Sequence, residues 1–593
     1  MNCRRIHHFA IGLLTVNLLL VSCDLTEFPQ DTASKENVFK DEIGLELYTN
    51  SFYNILPSAN DITRGDAMAD YSARRDVPAF IRPGAYGPNN TSGWSWGDLR
   101  DINYFLDNNS NEEIAPEVRN HHNGIARFFR ALFYFEKVKR YGDVPWIDTA
   151  LDIDDPALYG PRDSREMVMD RVLEDLDFAV DNIRDSVDPT RTLVTKDVVL
   201  ALKSRVALFE GTFRMYHANG LASGLGDTAD AWLQEAVDAA EQVIQRGNFS
   251  LYTGAGNDSY EELFKTDTPT TEEDMLTIVH DTELSVLHSA NWWYTSSTYG
   301  VRLSFVRNFV NSYLMSDGTR FTDQPGYETM EFTDEVENRD SRLAHTIRTP
   351  GYTRIDAGTT VEVAPDFLYV YTGYHPHKWT TDDTSIDNWT ENTNSVAVFR
   401  YSEVLLNYAE AKAELGTLTD ADWAMTVGAL RDRAGITGGL NTRPVTVDSW
   451  FQQTYFPDIN DPVILEIRRE RGIELALEGH RFYDLVRWKR GELLEMDWMG
   501  MYIPAVDQEY DLNEDGSPDV YFYTTEPAEG DKEAGVVYID VTQNSDFGLT
   551  GGTSGQLTWR LDLEKEWEDY KYLYPIPEND RQTNPDLGQN DGW

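Results

Sequence analysis

Polar and apolar positions between residues 36 and 246 follow the 3.6-residue period of helices with one buried face. Val38, Ile43, Leu47, Phe52 and Ile55 fall along one broad face and predict helix over 36–56. Helix is predicted again at 98–108 and 116–140, where Ile125, Phe128, Leu132 and Phe135 keep the period and Phe129 and Phe133 widen the face. Gly142 and Pro145 stop that helix. Further helices are predicted at 164–184, 195–215 and 229–246, whereas 57–97 is loop-like and rich in Gly and Pro. The succession of helix pairs predicts a mainly α, solenoid-like scaffold without a clean 34-residue repeat.

From residue 249 the period lapses. Asp, Thr, Gly, Pro and aromatics dominate, with strand predicted only at 275–279 and 367–371. Long loops on a rigid scaffold are where binding residues tend to sit, so 249–397 reads as a variable, ligand-side insertion. Helix returns at 398–415 and 421–434. The last hundred residues mix short strands, an acidic Asp–Gly loop and a closing segment.

The stretch 464–490 is the centre of the pattern. Glu466, Glu470, Glu474 and Glu478 recur every four residues on one helix face, a spacing at which like charges repel. Cations must answer them, and Arg469, Arg471 and Arg481 lie three residues from members of the ladder. Gly479 is a natural helix end, after which Phe482, Leu485, Val486 and Trp488 begin a second segment. No nucleophile or cofactor loop stands beside them, so the stretch reads as a structural tie.

Charge narrows the function. A formal net charge of −50, from 101 acidic and 51 basic residues, opposes binding of nucleic acid and other polyanions. The N-terminus adds an address. Arg4 and Arg5 precede an apolar run from Phe9 to Val21, too short for a confident membrane span and suited to a secretory signal over 1–22. The run ends Leu20-Val21-Ser22-Cys23, which resembles the lipobox of bacterial lipoproteins and implies lipidation of Cys23, followed by a polar tether at 23–35. Cys3 would leave with the signal, so no disulfide can form within the mature chain.

Five separated motifs are similar to the SusD/RagB family of outer-membrane nutrient-binding lipoproteins. They are ARFFRALFYFEKVKRYGDVPWI (126–147), TKDVVLALKSRVALFEG (195–211), FRYSEVLLNYAEAKAELG (399–416), the 464–490 stretch, and Tyr574-Pro575-Ile576-Pro577 with Asn584-Pro585 and Gln589-Asn590. The resemblance implies a single domain over 36–593, with an N-terminal helical part (36–248) and C-terminal helices and closing segment (398–593). It implies four degenerate tetratricopeptide-like helix pairs and an outward-facing lipid anchor in the outer membrane of Bacteroidetes-type cells. It further implies a SusC-like TonB-dependent transporter as partner, and binding without catalysis or a catalytic cofactor. The ligand itself does not carry over, because 249–394 matches no family motif.

Sugar recognition needs an aromatic face for the apolar side of a pyranose and polar groups for its hydroxyls. Two stretches offer that mix. One is the 71–96 loop, with Tyr71, Arg74, Arg75, Asn89, Trp94 and Trp96. The other is Trp292, Trp293 and Tyr294 with Tyr299. As sets, these are ligand-contact candidates, although any single Trp is more often core. Asp511, Asn513, Asp515 and Asp519 have the spacing of a calcium loop with Gly516 at its turn, but Phe522 stands where a bidentate carboxylate is expected. A structural Ca2+ is the expectation there, against an Asx-rich turn. His375 and His377 read as surface histidines. The leading reading is a glycan-binding surface protein. Peptide binding within the same family and a surface glycoside hydrolase are the rivals, and acidity argues against highly sulfated or uronate-rich glycans.

Overall fold

The computed structural model describes residues 35–542 and 545–593. The signal segment, Cys23 and residues 24–34 lie outside them. Among the described residues no helix is long and apolar enough to cross a membrane.

The chain is mainly α-helical with a few short strands. Among the described residues the longer helices of the N-terminal part are α1 (Glu42–Ser51), α2 (Gly97–Asn108), α3 (Pro116–Tyr141), α4 (Arg165–Asn182), α5 (Lys196–Tyr216) and α6 (Ala229–Arg246). α1 is shorter than the 36–56 expectation, because the chain turns at 39–41 and tightens to a 3-10 turn at Phe52–Ile55; the other ends fall within about two residues of where the sequence puts them, because the caps are local. Asp41, Ser164 and Thr195 accept first-turn N–H groups, Pro116 opens α3, and Gly247 closes α6 at φ +65°. The pairs α3–α4 and α5–α6 pack side by side, burying Phe128, Phe129, Leu132 and Phe135 of α3 and Val198, Leu202 and Leu208 of α5.

C-terminal helices complete the scaffold: α7 (Tyr401–Glu414), α8 (Val427–Arg433), α9 (Pro462–Glu474) and α10 (Arg481–Arg487). Helix predicted from 398 starts three residues later, since Val396–Arg400 is a strand paired with Asp274–Ile278. The 421–434 helix is broken at Thr426, whose ψ of −92° is not helical. The strand predicted at 367–371 is instead a turn. There the Phe367 and Val370 carbonyls accept from Arg302 and the Tyr371 N–H donates to Ser304 Oγ, so the backbone is satisfied without a ladder. The loop after α1 is more ordered than expected, with a helical turn at Ala59–Thr63 fixed by a capping box.

Arginine–carboxylate forks join the helices. Arg130 of α3 grips Asp175 of α4, Arg165 of α4 grips Glu210 of α5, Arg205 of α5 grips Glu403 of α7, and Glu410 of α7 receives Arg487 of α10. The glutamate ladder is buried, with Glu466, Glu470 and Glu474 on α9 and Glu478 in the turn beyond its end, but its cations are not the neighbours that sequence spacing suggests. Arg469 pairs mainly with Asp448, Arg471 with Asp484, and Arg481 with Asp70. The ladder is answered by Arg431 on Glu466 and Glu470, Arg342 on Glu470 and Glu474, Arg433 on Glu474, and Arg400 and Lys378 on Glu478. Burial alone would raise the Glu474 carboxyl; Arg433, Arg400 and Arg342 hold it well below the usual range.

Gly479 explains how this stretch turns. It has φ +80°, and a Cβ on the facing Gly65 would lie 2.6 Å from its Cα. The buried Asp66 accepts the N–H groups of Gly479 and Arg481 at 3.0 and 3.1 Å. The N-terminal loop is thereby locked onto the start of α10.

Candidate functional site

The helical turn Ala290–Tyr294, the bend at Ser296–Gly300 and the polar loop 380–392 meet in an aromatic platform. Trp292 and Tyr299 stack at 3.6 Å with planes 10° apart, and Trp389 lies 5.7 Å from Trp292. Tyr299 can reach Trp292 because the chain turns at Gly300, whose φ is +74° and whose missing Cβ would meet the Trp293 ring at 2.9 Å. Trp293 stands edge-on to Tyr299. Arg64, entering from the end of the Ala59–Thr63 turn, places its guanidinium 4.6 Å from the Trp293 centroid and donates to the Tyr299 hydroxyl at 2.9 Å.

Trp389 is the residue that the sequence does not flag. It is 68% exposed, with φ +75°. A bulky residue in the left-handed region costs of order 1–3 kcal/mol and persists only where its surroundings dictate it. The surroundings here are rigid. Buried Asn291 donates to the Thr381 carbonyl and to Asp387 Oδ1, both at 3.0 Å, and accepts from Asn392 at 2.7 Å. Arg354 holds Asp387 with two bonds of 2.7 and 2.6 Å. An exposed aromatic ring on a fixed, strained loop is the arrangement of a contact surface rather than of a core.

The sequence-predicted clusters divide. Tyr294 is in the core, 2% exposed, with its hydroxyl donated to the Thr63 carbonyl. Tyr71 is also core rather than site: it stacks on Phe309 at 4.3 Å, donates to Asp66 and accepts from the Leu477 N–H. Each phenol found a buried partner, which pattern alone does not foretell. Arg74 bonds the Ala67 carbonyl, while exposed Arg75 faces Asp76. Trp94 and Trp96 contact each other at 5.2 Å and lie half-buried on Tyr141 and Phe133 of α3, and Asn89 sits on an exposed turn. Thus 71–96 is not one site. Trp292, Trp293 and Tyr299 are brought together, and Trp389 and Arg64 join them.

His375 and His377 are buried, not surface residues. His375 Nε2 lies 3.0 Å from the Tyr294 carbonyl and Nδ1 accepts from the Asp366 N–H.

The Asp511 loop closes as an Asx-rich turn. Asp511 accepts the Glu514 and Gly516 N–H groups at 2.7 and 2.8 Å, Asp515 accepts Ser517, and Asp519 accepts Leu512. Burial, with the charges of Asp511 and Asp515, pushes Asp519 up to about 6. The charges of Asp511 and Asp515 thus act on Asp519 across one loop, while hydrogen bonds led by the Ser517 N–H hold Asp515 below its ordinary value.

A family model described as "SusD family" matches residues 262–593, and one described as "Starch-binding associating with outer membrane" matches residues 70–252. The chain is 23% identical over 519 residues to SusD-like protein P2 of Formosa agariphila, covering 82% of this chain and 91% of that one. Among solved structures, a SusD-like carbohydrate binding protein from Bacteroides fragilis aligns with a TM-score of 0.68 at 20% identity, over 93% of this chain and all of the other. A second SusD-like protein from Bacteroides fragilis aligns at 0.66 and 21% identity, over 95% and 99% of the two chains.

Proposed function

The chain belongs to the SusD family, and from that premise we propose that it captures oligosaccharides and polysaccharides at the cell surface and passes them to a SusC-like TonB-dependent transporter. The observation that carries the reading is the Trp292–Tyr299–Trp389 platform. Stacked rings suit the apolar face of a sugar, and the Arg64 guanidinium beside them can donate to hydroxyls. The strong net acidity favours a neutral glycan over an anionic one. Asp387, two residues before Trp389, is held in a fork by Arg354 and so is engaged as a structural partner, which suits a binding role.

Affinity electrophoresis through gels of plant, fungal and host polysaccharides tests this. Retardation by a neutral glycan without release of reducing ends is the expected result. Release of reducing ends would make the protein a hydrolase, and saturable peptide binding with no glycan retardation would make it a peptide receptor.

The anchor follows from the lipobox. Cys23→Ala is expected to move the protein from the membrane fraction to the soluble one, and unchanged membrane association would refute lipidation at that residue.

We also read the Asp511 loop as a structural Ca2+ site. With its pKa raised to about 6, Asp519 contributes stability that is present below about pH 4 and is lost as pH rises to 6. Ca2+ is expected to offset that loss, raising Tm at pH 7.5 and not at pH 4. A Tm indifferent to Ca2+ and chelator at pH 7.5 would remove the site.

A further inference from the structure

Away from the platform, a second group of side chains has the composition of a metal site. Asp258 and Glu261 stand on and beside the turn Ser259–Glu262, and His345 follows the turn Ser341–Ala344. One ligand atom from each of these three lies within 4.8 Å of the others. His345 Nε2 is 3.6 Å from Asp258 Oδ1. His377 adds a fourth group, its Nδ1 being 3.9 Å from Glu261 Oε1. Tetrahedral Zn2+, with bonds near 2.0–2.2 Å, spaces its ligands roughly 3.4 Å apart. His377 stands outside the mutual 4.8 Å set and reaches it through Glu261.

His377 is the decisive residue. It is 1% exposed, and its Nε2–H donates to the Ala344 carbonyl at 2.8 Å. The other ring nitrogen, Nδ1, therefore carries a lone pair, has no hydrogen-bond partner, and faces a carboxylate oxygen. The same Glu261 oxygen is bonded by Lys265, so the unpartnered group in this contact is the His377 nitrogen alone. Neutral imidazole with its far N–H fixed by a backbone carbonyl is the form in which histidine binds metals. His345 is also nine-tenths buried, and it is its Nε2 that faces Asp258.

The geometry points to a divalent transition-metal site of the zinc class, built from Asp258, Glu261, His345 and His377. Two imidazoles and two carboxylates fit Zn2+ rather than Ca2+ or Mg2+, which prefer oxygen alone. Asp258 is exposed and gives the ion its entry. Lys265 bonds Glu261 and also Asp382, the latter at 2.6 Å. With the metal on Glu261, Lys265 keeps Asp382.

The test is calorimetric titration of chelator-treated mature protein with Zn2+, together with the visible spectrum of the Co2+ form. The expected result is one saturable site whose Co2+ bands show imidazole and carboxylate ligation. Affinity should fall on the order of 10-fold or more in His345→Ala and Asp258→Asn and stay unchanged in Trp389→Ala. Asp258→Asn, at an exposed side chain, keeps the test open if a histidine variant does not fold. No saturable binding, equal binding in both site variants, or displacement of Zn2+ by equimolar Mg2+ would overturn the site. No glycan enters the experiment, so its outcome is independent of the glycan reading.

Discussion

Glu474→Ala is expected to lower the unfolding free energy by about 3–5 kcal/mol, the usual cost of removing one partner from a buried ion pair. Glu474 is fully buried and receives Arg342 at 2.9 Å, Arg400 at 2.6 Å and Arg433 at 2.5 Å. Its loss leaves three guanidinium groups short of a carboxylate inside the scaffold. Arg342 retains Asp340 and Glu470, and Arg400 and Arg433 retain Glu273, which limits the damage to that range. Against a typical total of 5–15 kcal/mol this is a large share. Glu174→Ala supplies the contrast: its pair with Arg171 is exposed on both sides, and its removal should leave stability nearly unchanged. Urea unfolding followed by circular dichroism measures both. Equal effects would mean that the buried ladder is not what ties the helices.

Trp389→Ala is expected to abolish most glycan binding while leaving the fold intact. Truncating an aromatic anchor at the centre of a contact costs about 2 kcal/mol or more, roughly 30-fold in Kd. Because Trp389 sits at φ +75° and is largely exposed, its replacement removes little packing. Trp389→Gly should even relieve backbone strain, so its Tm should match or exceed that of the parent while binding is lost. That combination separates a binding residue from a structural one. A Tm that falls with binding would assign Trp389 to packing.

The helical scaffold was legible because its determinants are local. Apolar period, N-cap residues and Gly or Pro stops fix 116–141, 196–216 and 229–246 to within a residue or two. What was hidden depends on distant partners. The glutamate ladder announced that cations must face it, but Arg342, Lys378, Arg400, Arg431 and Arg433 come from separate segments, as far as 132 residues away. The site was half legible. Trp292, Trp293 and Tyr299 stand out as aromatics in a polar stretch, whereas Tyr71 and Tyr294 look the same and are core because Asp66 and the Thr63 carbonyl meet their hydroxyls. Trp389 lies alone among Asp, Asn and Thr, with no period to mark it. Its one sequence signal is a large apolar ring in a loop with no helix to bury it.

The platform assignment is tested most directly by titration calorimetry with the polysaccharide that retards the protein in gels. Parent, Trp292→Ala/Trp389→Ala and Trp94→Ala would be compared at matched folding. The expected result is parent-like affinity for Trp94→Ala and no measurable heat for the double variant. Parent-like binding by the double variant, with loss in Trp94→Ala, would place the glycan site on the N-terminal loop and contradict the account.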